Sequence, residues 1–148
     1  MHRIAPDDCC LTIVIAAFNE AEALPVLQPR IATALALAEA GGLEARVLYV
    51  DDGSRDATWD VLRGFAAADS RVALLRLSRN FGKEAALTAG LDRVERGAAF
   101  ILDADGQDPP ELLPRFVAKW REGFDDIHGT RVEREGEGWL KRATAHGF

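Results

Sequence analysis

The sequence predicts an α/β fold, with a mainly parallel β-sheet that carries helices on both of its faces. Short apolar runs alternate four times with longer helical patterns, and the connections between them are short. Such alternation is typical of parallel strands that are joined by right-handed helical crossovers. The strand segments are apolar almost throughout, which is expected of a sheet that is covered on both faces.

The four predicted strands are short, apolar and bounded by polar or turn residues. In chain order they comprise residues 11–17, 46–50, 72–77 and 98–102. The first is rich in β-branched residues, which pack well on a buried pleated surface. We expect a fifth strand at residues 125–128, followed by a loop and the beginning of a helix at residues 139–142.

Each of the four strands is followed by a segment with helical composition. In chain order these helices comprise residues 20–40, 56–68, 83–96 and 111–121. Gly41 and Gly42 end the first helix, while Pro25 and Pro29 favour a start later than residue 20. Asp56 is a candidate cap for the second helix, because an aspartate can accept a hydrogen bond from a free backbone N–H there.

Composition and charge limit the class of protein. The 148 residues are 48% hydrophobic, which suffices for one domain with a sizeable core. A net charge of −6 argues against nucleic acid as the main partner, because phosphate backbones are bound by clustered positive charge. No apolar run approaches the roughly 18 to 20 residues of a membrane-spanning helix. The neighbouring Cys9 and Cys10 form no disulfide framework, which fits a reducing cytosol.

Polar and charged residues follow each predicted strand, where ligands bind in parallel sheets. They are Phe18-Asn19-Glu20, Asp51-Asp52-Gly53-Ser54, the segment from Arg79 to Lys83, the segment from Asp103 to Gln107, and Gly129-Thr130-Arg131. No Gly-x-Gly-x-x-Gly follows the first strand, which argues against a dinucleotide-dependent dehydrogenase. We therefore expect one binding site at this edge, assembled from several strand ends.

The residue types at this edge indicate their chemistry. Asp103, Asp105 and Gln107 offer the hard oxygen ligands that suit Mg²⁺ or Mn²⁺, although an acidic turn with Asp108 as a helix cap explains the same pattern. Asp51 or Asp52 could accept a hydrogen bond from a base or a sugar hydroxyl, or simply form a turn. Three basic residues are also expected at this edge, namely Arg79, Lys83 and Arg131. They could bind the phosphate groups of a ligand, or they could be ordinary surface cations.

Taken together, these motifs resemble those of family-2 glycosyltransferases, which have the Rossmann-like GT-A fold. The segments that carry the resemblance are IVIAAFNE, VLYVDDGSRDAT and AAFILDADGQDPPELLP. LSRNFGKEAALTAGLD and HGTR are similar to one branch of that family, the polyprenyl-phosphate glycosyltransferases. This branch includes dolichol-phosphate mannose synthases and bacterial undecaprenyl-phosphate glucosyltransferases. The resemblance covers residues 12–148.

The resemblance implies an inverting transfer of a sugar from a UDP- or GDP-sugar to a polyprenyl phosphate, assisted by Mg²⁺ or Mn²⁺. It implies these nucleotide-sugar-binding residues: Phe18, Glu20, Asp51, Asp52, Arg79, Lys83 and Asp103. It implies these metal ligands: Asp103, Asp105 and Gln107. Asp105 and Arg131 are the implied catalytic residues, with Arg131 near the donor and acceptor phosphates. The sequence departs from the family at Ala16 or Ala17, where a proline is usual, and at Gly106, where the branch usually has leucine.

Two other functions remain open at this point: a family-2 glycosyltransferase with a saccharide or other hydroxyl acceptor, and a nucleotide-sugar-binding module without turnover. A phosphate acceptor is already ionised at neutral pH, so the lack of a conspicuous general base favours it. We expect residues 1–148 to be the N-terminal nucleotide-sugar-binding part of a GT-A domain, without its acceptor part and any membrane helices. The expected location is the cytoplasm, at the inner face of the membrane.

Overall fold

The computed structural model describes residues 9–129, which contain one parallel four-stranded sheet with the strand order β3-β2-β1-β4. The strands are β1 (Cys10–Ala17), β2 (Glu44–Asp51), β3 (Val72–Arg76) and β4 (Ala98–Asp103). The helices are α1 (Leu24–Ala40), α2 (Thr58–Ala68), α3 (Lys83–Leu91) and α4 (Leu113–Arg121), the last preceded by a short 3₁₀ turn (Pro110–Leu112). The predicted α/β fold and its first four strands are confirmed.

β1 lies in the middle of the sheet and is covered on both faces. Ile13 pairs in register with Val47 of β2 and Phe100 of β4. The side chains of Ile13, Val14 and Ile15 have no exposed surface. Consecutive strand residues point to opposite faces, so three buried residues in a row require helices on both sides of the sheet.

The helices divide unequally between the two faces. The larger core includes Ile13 and Ile15 of β1, together with buried residues of α1, α2 and α4. The smaller core includes Leu48 and Val50 of β2, which pack against α3. α3 lies close to the sheet because Gly90 has no side chain: a Cβ there would stand 2.7 Å from Val14 Cγ1 and 2.9 Å from Val50 Cγ2.

The starts of two helices follow the sequence signals. α1 begins at Leu24, with Pro25 in its first turn, which confirms a start later than residue 20. α2 begins at Thr58, whose backbone N–H donates to Asp56 Oδ1 at 2.9 Å. Asp56 therefore satisfies a backbone donor at the start of this helix, as the sequence predicts.

The prediction for the end of α3 was wrong, because the helix stops at Leu91 and does not continue to residue 96. Gly97 adopts a positive φ of 76°, and a Cβ at this position would overlap with the carbonyl group of Cys10. The chain must turn sharply here to enter β4 beside β1. The residues between Leu91 and Gly97 are mostly exposed, so little burial favours a longer helix.

The predicted strand at residues 125–128 is also wrong. These residues pair with no strand of the described chain, and only Ile127 is partly buried among them. A strand needs one apolar face to bury, whereas Asp126 and His128 are exposed and their side chains pair with each other at 3.1 Å. The helix expected at residues 139–142 lies outside the described residues. Among residues 9–129, no helix is both long and apolar enough to cross a bilayer.

Candidate active site

A cavity of about 300 Å³ lies at the carboxyl ends of β1, β2 and β4. It is lined by six of the residues singled out in the sequence, namely Phe18, Glu20, Asp52, Lys83, Asp103 and Asp105. Asp51, Arg79 and Gln107 lie at the same edge of the sheet but do not line the cavity. Arg131 lies outside the described residues. The parallel topology thus brings residues far apart in sequence around one space.

Asn19 fixes the loop after β1 to the loop after β2. Its φ of 53° is left-handed, a conformation that asparagine tolerates better than most residues. Its backbone N–H donates to Ser54 Oγ at 3.0 Å, and its Oδ1 accepts from the Arg55 N–H at 2.9 Å. The neighbouring Glu20 N–H donates to Thr58 Oγ1 at 2.9 Å. From its position after a strand, Asn19 was predicted only as part of the binding edge, and its role in joining the two loops becomes visible only in the fold.

The two residues beside Asn19 face the cavity. Phe18 follows β1 directly and is 42% exposed, so its ring is accessible at the cavity. The Glu20 carboxyl is partly desolvated, and this burial raises its pKa, with smaller contributions from the negative charges of Asp105 and Asp56. Within the described part of the chain no cation pairs with Glu20, and Asp105 lines the same cavity.

Asp52 holds the loop between β3 and α3. Its carboxylate is almost completely buried and accepts hydrogen bonds from the backbone N–H groups of Phe81 at 2.8 Å and Gly82 at 3.1 Å. It also accepts from Asn80 Nδ2 at 3.2 Å. The Asp52 carboxylate therefore accepts its hydrogen bonds from the loop that leads into Lys83. The resemblance implies a direct contact of Asp52 with the nucleotide, and this internal role was not predicted from the sequence.

Asp51 has no exposed surface and does not line the cavity. Its Oδ1 accepts from the Ser54 N–H at 3.0 Å, whereas Oδ2 has no hydrogen-bond partner among residues 9–129. Arg76 at the end of β3 places Nε 3.6 Å from this oxygen, and its guanidinium stacks 5.0 Å from the centre of the Trp59 ring. The sequence did not reveal Arg76, because β2 and β3 must be paired in register before it meets Asp51.

Arg79 lies on the rim of the site. Its guanidinium is 4.0 Å from the centre of the Phe81 ring, and that ring is 47% exposed. A cation above an aromatic face is held loosely enough to turn toward an anion in solution. Arg79 is thus a peripheral cation, whereas Lys83 reaches into the cavity itself.

Asp103, the last residue of β4, and Asp105, in the turn that follows, both line the cavity. Lys83 Nζ contacts Asp103 Oδ1, and Asp105 Oδ1 accepts from the Gln107 N–H at 2.9 Å. Ala104 between them is buried, so the two carboxylates project on the same side of the chain. Gln107 itself is exposed and lies outside the cavity lining.

The carboxylates of Asp103 and Asp105 can supply only some of the ligands that a divalent cation needs. No cluster of three or more His, Cys, Asp or Glu side chains that could hold a metal ion occurs within residues 9–129. Mg²⁺ is commonly held by one or two carboxylates together with water and substrate phosphates, and not by a cage of protein ligands alone. The donor set of Asp103 and Asp105 therefore fits a divalent ion that shares its ligands with a phosphorylated substrate.

Comparison with known proteins places the chain in a family. The family model described as "Glycosyl transferase family 2" matches residues 12–146. A bactoprenol glucosyl transferase of Shigella phage SfX is 39% identical over 138 residues, which cover 93% of this chain and 44% of the relative. An undecaprenyl-phosphate 4-deoxy-4-formamido-L-arabinose transferase of Salmonella paratyphi B is 38% identical over 135 residues, which cover 90% and 40%. The chain thus spans less than half the length of these relatives.

Solved structures share the fold. TarS of S. aureus (residues 1–349) superposes with a TM-score of 0.64 over 84% of this chain and 38% of its own, at 17% identity. The mannosyltransferase PcManGT of Pyrobaculum calidifontis, in complex with GDP-Man and Mn²⁺, gives 0.54 over 69% and 30%, at 22% identity. These likenesses support the predicted GT-A architecture, and the family match extends over most of the sequence. The chain belongs to glycosyl transferase family 2.

Proposed function

We propose that residues 9–129 form the donor side of an enzyme that transfers a sugar from a UDP- or GDP-sugar to a polyprenyl phosphate. The observation that carries the proposal is the pairing of opposite charges in one cavity. Asp103 and Asp105 offer ligands for a cation, and Lys83 offers a positive charge for an anion. A sugar nucleotide needs both, since its diphosphate is commonly bound through a divalent ion and through cationic side chains.

The nucleoside would occupy the side of the cavity formed by the loops after β1 and β2. The exposed Phe18 ring offers an apolar surface for a base, and Glu20 offers an acceptor for sugar hydroxyls. Asp51 at the end of β2 is a second candidate, because its buried Oδ2 accepts no hydrogen bond within residues 9–129. A nucleoside that binds this oxygen would compete with the half-exposed Arg76 side chain, whose Nε lies 3.6 Å away.

The names of the phage and Salmonella relatives support a polyprenyl-phosphate acceptor. In the proposed step, an acceptor phosphate oxygen forms a bond to the anomeric carbon with inversion, while the bond from that carbon to the diphosphate oxygen breaks. The nucleoside diphosphate leaves, and no proton has to be removed from the ionised acceptor. Mg²⁺ or Mn²⁺, held by Asp103 and Asp105 with Gln107 beside them, would neutralise charge on the leaving diphosphate. Arg131 is proposed to contact the donor and acceptor phosphates.

A lipid acceptor also implies a place of action. We propose that the enzyme works in the cytoplasm at the inner face of the membrane, where nucleotide sugars and the phosphate head of the lipid meet. The described residues supply no spanning helix. The acceptor and the membrane surface are the proposed partners, alongside the nucleotide-sugar donor.

A transfer assay tests this function. The natural gene product that carries this chain is supplied with undecaprenyl or dolichyl phosphate, Mg²⁺ or Mn²⁺, and a panel of UDP- and GDP-sugars. We expect a lipid-linked sugar from at least one donor. Absence of a lipid product with every donor would refute the acceptor. Parallel reactions supply saccharide acceptors in place of the lipid phosphate, and product formed only in these would favour a saccharide-type transferase.

A further inference from the structure

Lys83 and Asp103 form an ion pair across the proposed donor cavity. Lys83 is the first residue of α3, Asp103 is the last residue of β4, and Lys83 Nζ contacts Asp103 Oδ1. The Lys83 side chain is 59% exposed, whereas that of Asp103 is 29% exposed. The ion pair therefore connects the start of α3 to the end of β4, and solvent can reach both of its side chains.

The backbone around Lys83 is fixed, so its side chain is the movable part. The buried Asp52 carboxylate holds the N–H groups of Phe81 and Gly82 immediately before it. Further along α3, Gly90 is packed directly on the sheet. A lysine stem has four flexible carbons, and its ammonium group can thus swing while the helix stays in place.

Two cations that share one carboxylate oxygen repel each other at close range. A divalent ion that takes Asp103 Oδ1 as a ligand would lie within a few ångströms of the Lys83 ammonium, and the two positive charges would repel each other. This repulsion favours displacement of Lys83 from Asp103 when the ion binds there. Once displaced, the ammonium is still inside the cavity, where a donor diphosphate would offer it more negative charge than a single carboxylate such as Glu20.

We propose that Lys83 couples metal binding to donor binding by exchanging Asp103 for the diphosphate of the nucleotide sugar. This inference rests on the proposed donor function of the same cavity. Without a nucleotide, Lys83 opposes the divalent ion by competing for Asp103. With a nucleotide bound, Lys83 contacts the diphosphate and no longer competes. Because binding free energies are linked, the nucleotide then strengthens metal binding by the same factor by which the metal strengthens nucleotide binding.

The test measures Mn²⁺ binding to the chain from the electron paramagnetic resonance signal of free Mn²⁺, with and without UDP or GDP. Without nucleotide, Lys83→Met should bind Mn²⁺ about three- to fivefold more tightly than the wild type, the range expected when a partly exposed ion pair no longer competes. With saturating Mn²⁺, K83M should bind UDP or GDP several-fold more weakly. Lys83→Arg keeps the cation and should resemble the wild type in the first titration.

Two controls separate competition from a general effect of charge. Arg79→Met removes a nearby cation that contacts the Phe81 ring and not Asp103, so it should change Mn²⁺ affinity less than K83M. Lys119→Met removes a cation of α4 that pairs with Glu122, remote from the cavity lining, and should change nothing. If K83M loses its helical circular dichroism, Lys83→Gln repeats the test.

The results separate this inference from the proposed function. If K83M binds Mn²⁺ no more tightly than the wild type, or if R79M tightens binding equally, the competition at Asp103 is refuted even when the wild type binds nucleotides. If the wild type binds neither UDP nor GDP with any divalent ion, the donor function is refuted. In that case the titration without nucleotide still decides whether Lys83 and a divalent ion compete for Asp103.

Discussion

Replacing Asp52 with asparagine should destabilise the chain and disturb the cavity at the same time. The carboxylate accepts three side-chain and backbone donors from the β3–α3 loop, and it is only 2% exposed. An asparagine oxygen can keep the 2.8 Å bond from the Phe81 N–H. Its amide nitrogen, however, would then face the Gly82 N–H and the Asn80 amide, which are both donors.

The magnitude follows from the bonds that are lost. Two hydrogen bonds to a charged acceptor disappear, and one backbone donor is left in a partly buried loop, so we expect the free energy of unfolding to fall by about 2 to 3 kcal/mol. Urea denaturation measures this as a lower midpoint at an unchanged slope. Asp92→Asn, an exposed substitution at the end of α3, should stay within about 0.5 kcal/mol of the wild type.

The same variant tests the link between this loop and the site. Because Gly82 precedes Lys83, a loosened loop should also weaken UDP or GDP binding in the presence of Mn²⁺, as measured by calorimetry. An unfolding free energy within about 0.5 kcal/mol of the wild type would refute the reasoning, since the buried carboxylate would then not hold the loop.

Four further predictions concern the core, one exposed helix position and one surface ion pair. Gly90→Ala should lower the free energy of unfolding by about 1 to 2 kcal/mol, because the new methyl group overpacks against two buried valines. Gly64→Ala, in a helix with open space around it, should raise it by about 0.5 to 1 kcal/mol in the same denaturation assay. Burial raises the pKa of Tyr49, the one tyrosine, so an ultraviolet titration should show the native chain ionising at a higher pH than the unfolded chain. The stability gained from neutral Tyr49 is complete below its ordinary pKa of 10.0 and is lost as the pH rises through the native pKa. The hydrogen bond from Arg30 lowers the pKa of Glu111 from 4.5 to about 2. Glu111→Gln should thus cost about 0.5 kcal/mol at neutral pH, discounted for solvent exposure, and this difference should vanish as the pH falls from 4.5 toward 2.

The sequence was sufficient to predict the sheet and the edge that carries the site. Buried parallel strands are recognisable because both faces are apolar, and parallel topology brings their carboxyl ends together. The positions of Glu20, Lys83, Asp103 and Asp105 around one cavity follow from that rule. Carboxylates and a lysine in one cavity then predict a ligand that carries phosphate groups and binds together with a divalent cation.

Other features depend on pairings that a single sequence does not contain. Asp52 appears in the sequence as one of two adjacent acidic residues, and only the folded loops show that it holds the backbone of residues 81 and 82. The approach of Arg76 to Asp51 depends on the register between β2 and β3. The end of α3 was missed because helical composition continues beyond Leu91, whereas the contact of Gly97 with Cys10 decides where the helix stops.

Calorimetric binding of UDP and GDP, with and without Mn²⁺, tests the proposed donor site most directly. The wild-type chain should bind at least one of the two nucleotides, and Mn²⁺ should be required for tight binding. Asp105→Ala should abolish the effect of Mn²⁺, because it removes an exposed carboxylate of the cavity, while Asp92→Ala should leave it intact. A folded wild-type chain that binds neither nucleotide, or a D105A variant that responds to Mn²⁺ as the wild type does, would contradict the account.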